Sequence, residues 1–201
     1  MPTGVALRDA RQQLFDAAER ILLRDGPGAL TSRAVTTEAG CAKGVLHRHF
    51  AGFEEFLAEF VLDRMGRMDS QAAALRGSAG TGTVAGNLTE ALTALYGSVA
   101  VAIVGLVATR ESLRARLSRD WPAGIPVVTE AMTMVAGYLE SERDLGRIAS
   151  GADIGMLAPT VVGAVHMQYT RAEGTPPDAA TVGRIVTTAI TGSLPGPGRQ
   201  A

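Results

Sequence analysis

Apolar residues recur at intervals of three and four along almost the whole chain, which is the period of an α-helix. Loops rich in glycine and proline interrupt this pattern, and hydroxyl or carboxylate residues that can cap a helix follow several of them. These signals predict nine helices, at about 7–24, 31–39, 42–50, 53–76, 83–108, 110–120, 124–145, 153–171 and 178–192. Since no alternating strand pattern occurs, the sequence predicts an all-α fold.

The composition is that of a folded domain. Of 201 residues, 46% are apolar and 19% are charged, which is enough to bury a core and excludes a disordered or fibrous protein. The single cysteine, Cys41, excludes a disulfide framework and suits a reducing compartment. The first residues lack an apolar segment of signal-peptide length, so a cytoplasmic protein is the expectation.

Residues 91–108 can be interpreted either as a membrane span or as a buried helix. Residues 91–108 contain no charge over eighteen positions, which is long enough for a membrane span. The alternative is a central helix that is apolar all round because its neighbours surround it. Basic residues are not concentrated on one flank and no second such segment follows, which favours the buried helix and no membrane.

The two short helices predicted at 31–39 and 42–50 carry the clearest functional signal. Isolated helices below ~12–15 residues are marginal in water, so this pair must pack together, as in a helix-turn-helix. On the second helix, Leu46 and Phe50 lie four residues apart and face the core together. The outward side is then formed, without an acidic residue, by Lys43, Gly44, Val45, His47 and Arg48.

This outward side suits the major groove of DNA. The groove admits an α-helix that is read near its N-terminus, and Gly44 lets the backbone approach closely. Residues 1–52 hold seven basic and five acidic residues, whereas the rest of the chain holds twelve and fifteen. The local charges of +2 and −3, which sum to −1, would orient the N-terminal end toward phosphate.

The segment from Thr31 to Phe50, TSRAVTTEAGCAKGVLHRHF, resembles the DNA-binding signature of the tetracycline-repressor (TetR) family. The spacing, the turn glycine at position 40 and the closing His-Phe pair coincide, and the resemblance covers about residues 8–60. It implies a helix-turn-helix DNA-binding domain over 1–52, a helical effector-binding and dimerisation domain over 53–193, and a flexible tail over 194–201.

The resemblance also implies residue roles. Lys43, Gly44 and Val45 fall where the family reads base edges, and Arg33 falls where a base or phosphate is within reach. Together with the outward side derived above, the predicted DNA-binding residues are Thr31, Arg33, Lys43, Gly44, Val45, His47, Arg48 and His49.

Three positions depart from the family's signature. His47 replaces the usual tyrosine at a phosphate contact, and Ala42 replaces a serine that caps the recognition helix. Phe53 stands where a lysine normally anchors the next helix to phosphate. The departures predict a DNA contact that is weaker, or differently distributed, than in typical members.

The central helices hold few charged residues, which favours a mostly apolar organic effector. His166 lies on an otherwise apolar stripe, where a core or interface histidine is the other interpretation. The large residues that could line an effector cavity, or alternatively fill the core, are Tyr96, Trp121, Met134, Tyr138, His166 and Met167.

The resemblance implies that the last two helices pair with those of a second copy in a four-helix bundle. Apolar stripes at helical spacing run along both helices and suit that role. The predicted dimer residues are Ile154, Leu157, Val161, Val165, Val182, Ile185, Val186 and Ala189.

The resemblance implies a homodimeric, ligand-responsive repressor that a small effector releases from a near-palindromic operator. No catalytic triad, carboxylate pair or phosphate loop occurs, so neither catalysis nor a cofactor is predicted. A metal site at Cys41, His47 and His49 is disfavoured because histidines two apart on a helix point to different faces. Two alternatives stay open: a helical small-molecule binding protein or enzyme without DNA binding, and a membrane-associated protein using residues 91–108.

Overall fold

The computed structural model describes residues 4–118, 126–171 and 175–195, and it confirms the all-α fold: no strand occurs within these ranges. Short 3-10 turns lie at Pro27–Ala29 and Thr191–Ser193. The α-helices of the described ranges are α1 Gly4–Asp25, α2 Ser32–Glu38, α3 Gly44–His49, α4 Phe53–Gly77, α5 Val84–Tyr96, α6 Ala100–Thr109, α7 Glu111–Leu117, α8 Pro126–Asp144, α9 Ile154–Arg171 and α10 Ala179–Ile190. Of the predicted tail, positions 196–201 lie outside the described residues.

Helix starts predicted from capping residues are confirmed. The side chains of Thr31, Thr83 and Asp178 each accept a hydrogen bond from the backbone N–H three residues later, at 3.2, 3.0 and 2.8 Å. These bonds satisfy donors that the first turn of a helix leaves without partners. At the end of α8, Gly146 has a φ of 73°, the left-handed terminus that its position predicts.

The predicted single helix over 83–108 is wrong. The chain forms α5 and α6 instead, separated by residues 97–99. The Ser98 hydroxyl donates to the Leu95 carbonyl and accepts from the Ala100 N–H at 3.3 Å, so it ends one helix and starts the next. A serine that bonds its neighbouring backbone competes with the helical hydrogen-bond ladder.

No single helix among the described residues has the length and apolar character needed to cross a membrane. Within the part of the chain that the structure describes, α5 and α6 have that length and composition only when taken together across the break between them.

The chain divides into two compact units. The first consists of Met1–Gly66 and Ala102–Pro126, and the second of Arg67–Val101 and Val127–Ala201. The predicted boundary at residue 52 follows the signature of the N-terminal segment and stays a prediction.

An aromatic cluster forms the core of the first unit. The ring of Phe15 on α1 lies 5.7 Å from Phe50, 5.6 Å from Phe56 and 6.1 Å from Phe60, measured between centroids. All four side chains are buried. Because Phe56 and Phe60 belong to α4, this cluster joins α1, the end of α3 and the start of α4.

A buried guanidinium also ties α1 to α4. The Arg64 side chain is 3% exposed and donates to Asp16 at 2.8 Å, to Glu19 at 2.5 Å and to Asp63. Its guanidinium carbon lies 5.2 Å from the centre of the Phe60 ring. A buried charge needs such partners, so these carboxylates hold Arg64 in place.

The second unit contains a buried polar network at the end of α8. The Tyr138 hydroxyl donates to Glu142 at 2.5 Å and accepts from the Asn87 amide at 2.9 Å. The other Glu142 oxygen lies 3.2 Å from Arg147 Nε and accepts from the Gly80 N–H at 3.3 Å. Because Glu142 is fully buried, these contacts supply the partners that water would otherwise provide.

Candidate nucleic-acid interface

Helices α2 and α3 are joined by a tight turn at Gly40. Its φ of 64° lies in the left-handed region that favours glycine. The turn is closed by the Cys41 N–H, which donates to the Thr36 carbonyl at 3.0 Å. The two helices therefore form the helix-turn-helix that the sequence predicts.

Two buried side chains hold α3 from behind. Leu46 is 0% exposed and Phe50 is 3% exposed. The Phe50 ring packs edge-on against Phe56 at 5.1 Å, and the Arg11 guanidinium carbon lies 4.6 Å from its centre on the other side. The predicted inward orientation of Leu46 and Phe50 is confirmed.

The opposite side of α3 is open to solvent. Lys43, Gly44, His47 and Arg48 are exposed, while Val45 and His49 are half-buried. Lys43 precedes the first turn, which has no side-chain cap, in keeping with the absence of a serine at position 42. The structure thus leaves Lys43, Gly44, His47 and Arg48 accessible on a cationic side of the helix.

The start of α2 adds the two other predicted residues. Thr31 and Arg33 are both exposed, although the Thr31 hydroxyl oxygen is engaged as the helix cap. In contrast, Glu38 at the far end of α2 is paired with Arg20 at 2.8 Å and Arg24 at 3.2 Å on α1. The exposed cation at position 33 and the paired anion at position 38 leave α2 positive at its start.

Phe53, which departs from the signature, is used for packing. Its ring stacks on Phe56 at 5.7 Å and lies 5.7 Å from the guanidinium carbon of Arg110. Arg110 also donates to the Leu30 carbonyl at 2.7 Å and to Glu54 at 3.2 Å. Arg110 thereby fixes the entry to α2 and the start of α4, a role that no sequence signal reveals.

Comparisons with known proteins agree with this geometry. Residues 14–60 match the sequence pattern of bacterial regulatory proteins of the tetR family. A TetR transcription regulator from Haloarcula marismortui has a similar structure, with a TM-score of 0.69 and 14% identity, over 94% of this chain and 100% of that one. The chain is therefore similar to the TetR family in this segment and in its fold.

Two further solved structures are similar in fold. The fatty acid degradation regulator FadR from Bacillus halodurans has a TM-score of 0.69 and 15% identity, over 91% of this chain and 95% of that one. FadR from Bacillus subtilis, solved in complex with stearoyl-CoA, has a TM-score of 0.61 and 17% identity, over 90% and 98%. At these identities the likeness concerns the fold alone. No curated protein sequence matches the chain.

The residues predicted for an effector site are not all brought together. Tyr96 is buried, and its ring centroid lies 5.7 Å from that of His166 and 5.2 Å from that of Tyr169. Tyr138 is engaged in the Glu142 network, and Met134 is buried.

The other two predicted residues differ from this group. Met167 is 54% exposed, and Trp121 lies outside the described residues.

His166 is the polar member of the Tyr96 group. Its Nδ1 atom is buried and makes no hydrogen bond within the described ranges. Burial lowers the pKa of the imidazole, so the ring is neutral at pH 7. A neutral ring nitrogen without a partner is available to a ligand group.

A cleft of about 260 Å³ lies between the second half of α4 and α5. No predicted effector residue borders it. Its lining is Gln71, Ala74, Leu75, Ser78, Asn87, Glu90, Ala91 and Ala94.

The predicted dimer residues lie largely inside the chain. Leu157, Ile185 and Ala189 are half-buried. The buried members are Ile154, Val161, Val165, Val182 and Val186. Helix α10 packs on both α5 and α9 of the same chain, and this packing buries much of the apolar stripes. The role of these residues in a dimer stays a prediction. Exposed apolar side chains occur instead on the other side of α9, at Met156 and Met167.

Proposed function

We propose that the chain is a non-enzymatic, ligand-responsive repressor that binds DNA as a homodimer through α3 and the start of α2. The observation that carries this proposal is the exposed cationic face of α3, held from behind by Leu46 and Phe50. A rigid helix with free donors near its N-terminus matches the way helix-turn-helix proteins enter the major groove. The proposed binding to an operator implies that the protein acts in the cytoplasm.

The proposed dimer uses the exposed sides of α9 and α10. Met156 and Met167 on α9 are 64% and 54% exposed, and Ile185 and Ala189 on α10 are half-buried. Apolar side chains of this kind are favourable to bury against a second copy. Two recognition helices in such a dimer would meet half-sites ~34–36 Å apart on a near-palindromic operator.

The proposed effector is a small, mostly apolar molecule with one hydrogen-bonding group. Tyr96 and Tyr169 supply apolar surface, and His166 supplies a ring nitrogen that makes no hydrogen bond within the described residues. The stearoyl-CoA complex of the Bacillus subtilis regulator supports an acyl-type ligand in this fold. The effector must bind the DNA-released conformation more tightly than the DNA-bound one. An effector with equal affinity for both conformations would not change the fraction of protein bound to DNA.

We test DNA binding by fluorescence anisotropy with DNA from upstream of the protein's own gene, at several salt concentrations. The logarithm of the affinity should fall linearly with the logarithm of the salt concentration, because bound phosphates release counterions. Lys43→Ala should weaken specific binding about 5- to 150-fold, which corresponds to about 1–3 kcal/mol per base contact.

The control is Arg76→Ala, which removes the same charge from an exposed site on α4 in the other unit. It should bind like the unmodified protein. If Lys43→Ala also binds normally, the interface is assigned wrongly. If the unmodified protein shows no salt-dependent binding to DNA, the chain is a helical small-molecule carrier or enzyme instead.

A second prediction concerns Gly44. A Cβ atom added there meets no atom of the protein within 4 Å, so Gly44→Ala should leave the fold intact and raise helix stability by up to ~1 kcal/mol. Operator affinity should nevertheless fall about tenfold, equal to about 1.4 kcal/mol, because the added methyl holds α3 away from the bases. Thermal unfolding and anisotropy measure the two effects.

Gly66→Ala is the matched control, because Gly66 is also exposed on a helix with open space around it. It should gain the same stability and keep full DNA affinity. Normal operator binding by Gly44→Ala would show that the α3 backbone does not approach the bases closely.

A further inference from the structure

We propose that the operator is read through guanine, with Lys43 and Arg33 donating hydrogen bonds to its major-groove edge. This inference rests on the proposed function and adds the base that α2 and α3 recognise. It follows from the hydrogen-bonding groups that residues 31–50 leave available.

The two exposed cationic side chains near the N-terminal ends of α2 and α3 can only donate hydrogen bonds. Lys43 and Arg33 are exposed, and neither an ammonium nor a guanidinium group has an acceptor. The next two positions, Gly44 and Val45, carry no hydrogen-bonding side chain. Helix-turn-helix proteins contact base edges chiefly with this end of the recognition helix, so donors dominate where bases are read.

The one carboxylate in this segment is already engaged. Glu38 accepts from Arg20 Nε at 2.8 Å through one oxygen and from Arg24 Nη1 at 3.2 Å through the other. Hydrogen bonds from Arg20 and Arg24 lower the pKa of Glu38, which keeps it ionised and paired with α1. Neither asparagine nor glutamine occurs between residues 31 and 50.

The hydroxyl groups near Arg33 are engaged or buried, since the Ser32 Oγ atom and Thr36 are both buried. The Thr31 hydroxyl accepts from the backbone at the start of α2. Thr37 is the second-last residue of α2, and His47 and His49 lie in the second half of α3. These groups are better placed for the phosphate backbone than for base edges.

A donor-only surface selects guanine among the four bases. Guanine presents two acceptors, O6 and N7, to the major groove, and lysine and arginine bind both. Adenine combines an acceptor with a donor and calls for asparagine or glutamine, while the cytosine donor calls for a carboxylate. Thymine offers one acceptor, so it makes fewer hydrogen bonds with these side chains.

The test starts from sites that the full-length protein selects from a random DNA pool. Guanines in a selected site are replaced one at a time by 7-deazaguanine, which lacks N7, or by inosine, which keeps O6 and N7 and loses only the minor-groove amino group. We expect 7-deazaguanine at one or two positions per half-site to weaken binding about tenfold or more. Inosine at the same positions should change the affinity less than about twofold, since the major-groove edge is unchanged.

Substitutions in the protein, in place of changes to the DNA bases, test the same inference. Lys43→Gln supplies an acceptor beside a donor, so the selected base should change from guanine to adenine at one position of each half-site. Arg48→Gln, in the second half of α3, should weaken binding without changing the selected bases.

The outcomes separate this inference from the proposed function. Selected sites that lack a required guanine, or that tolerate 7-deazaguanine throughout, would overturn guanine reading and leave DNA binding intact. Salt-dependent binding without any selected sequence would also overturn it. Failure to bind DNA at all would overturn the proposed function, and guanine reading with it.

Discussion

Leu46→Ala should destabilise the protein by about 3 kcal/mol and abolish operator binding, because it removes the buried side chain that holds α3. Helix α3 has six residues and no side-chain cap, so it cannot persist without tertiary contacts. Leu46 is its one fully buried residue, and Phe50 follows only after the helix has ended. Urea unfolding followed by circular dichroism measures the stability, and fluorescence anisotropy measures the binding.

Val45→Ala on the same helix is the control for this prediction. Val45 is half-buried, so the substitution removes less buried apolar surface and should cost below about 1 kcal/mol. A Leu46→Ala protein that unfolds at the normal urea concentration and still binds DNA would contradict the anchoring of α3 described here.

The second large effect is expected at Glu142. Glu142→Ala should destabilise the protein by about 3 kcal/mol, because each buried donor that loses its acceptor costs about 1–3 kcal/mol. The Tyr138 hydroxyl would lose its acceptor, and the Gly80 N–H would lose a bond as well. Unfolding in urea again gives the measurement.

Glu142→Gln separates the charge from the hydrogen bonds. The amide keeps the size and one acceptor oxygen, so its cost should be smaller, at about 1–3 kcal/mol. If Glu142→Ala and Glu142→Gln are both as stable as the unmodified protein, the buried network makes no net contribution to stability.

Local signals in the sequence predict the helix-turn-helix formed by α2 and α3 well. The Thr31 cap, the Gly40 turn and the four-residue spacing of Leu46 and Phe50 each depend on residues close together in the chain. Local geometry alone therefore orients the face that carries Lys43. The exposure of that face in the structure agrees with the prediction, while its contact with DNA remains proposed.

Features that depend on contacts between residues far apart in the sequence are predicted less well. Apolar stripes on α9 and α10 predict that these faces are buried. They do not predict whether a helix of the same chain or a second copy of the chain covers them. The chain's own α5 packs on α10, so Val182 and Val186 are core residues. The Glu142 network likewise joins Gly80 and Asn87 to residues more than fifty positions away, beyond any periodic pattern.

Arg110 has a practical consequence for engineering. Its guanidinium binds the Leu30 carbonyl and Glu54, although eighty positions separate it from Leu30. A hybrid regulator made by grafting residues 1–66 onto a foreign sensor would leave that carbonyl and carboxylate without their donor. Portable versions of this DNA reader must carry the segment from Ala102 through α7 along with them.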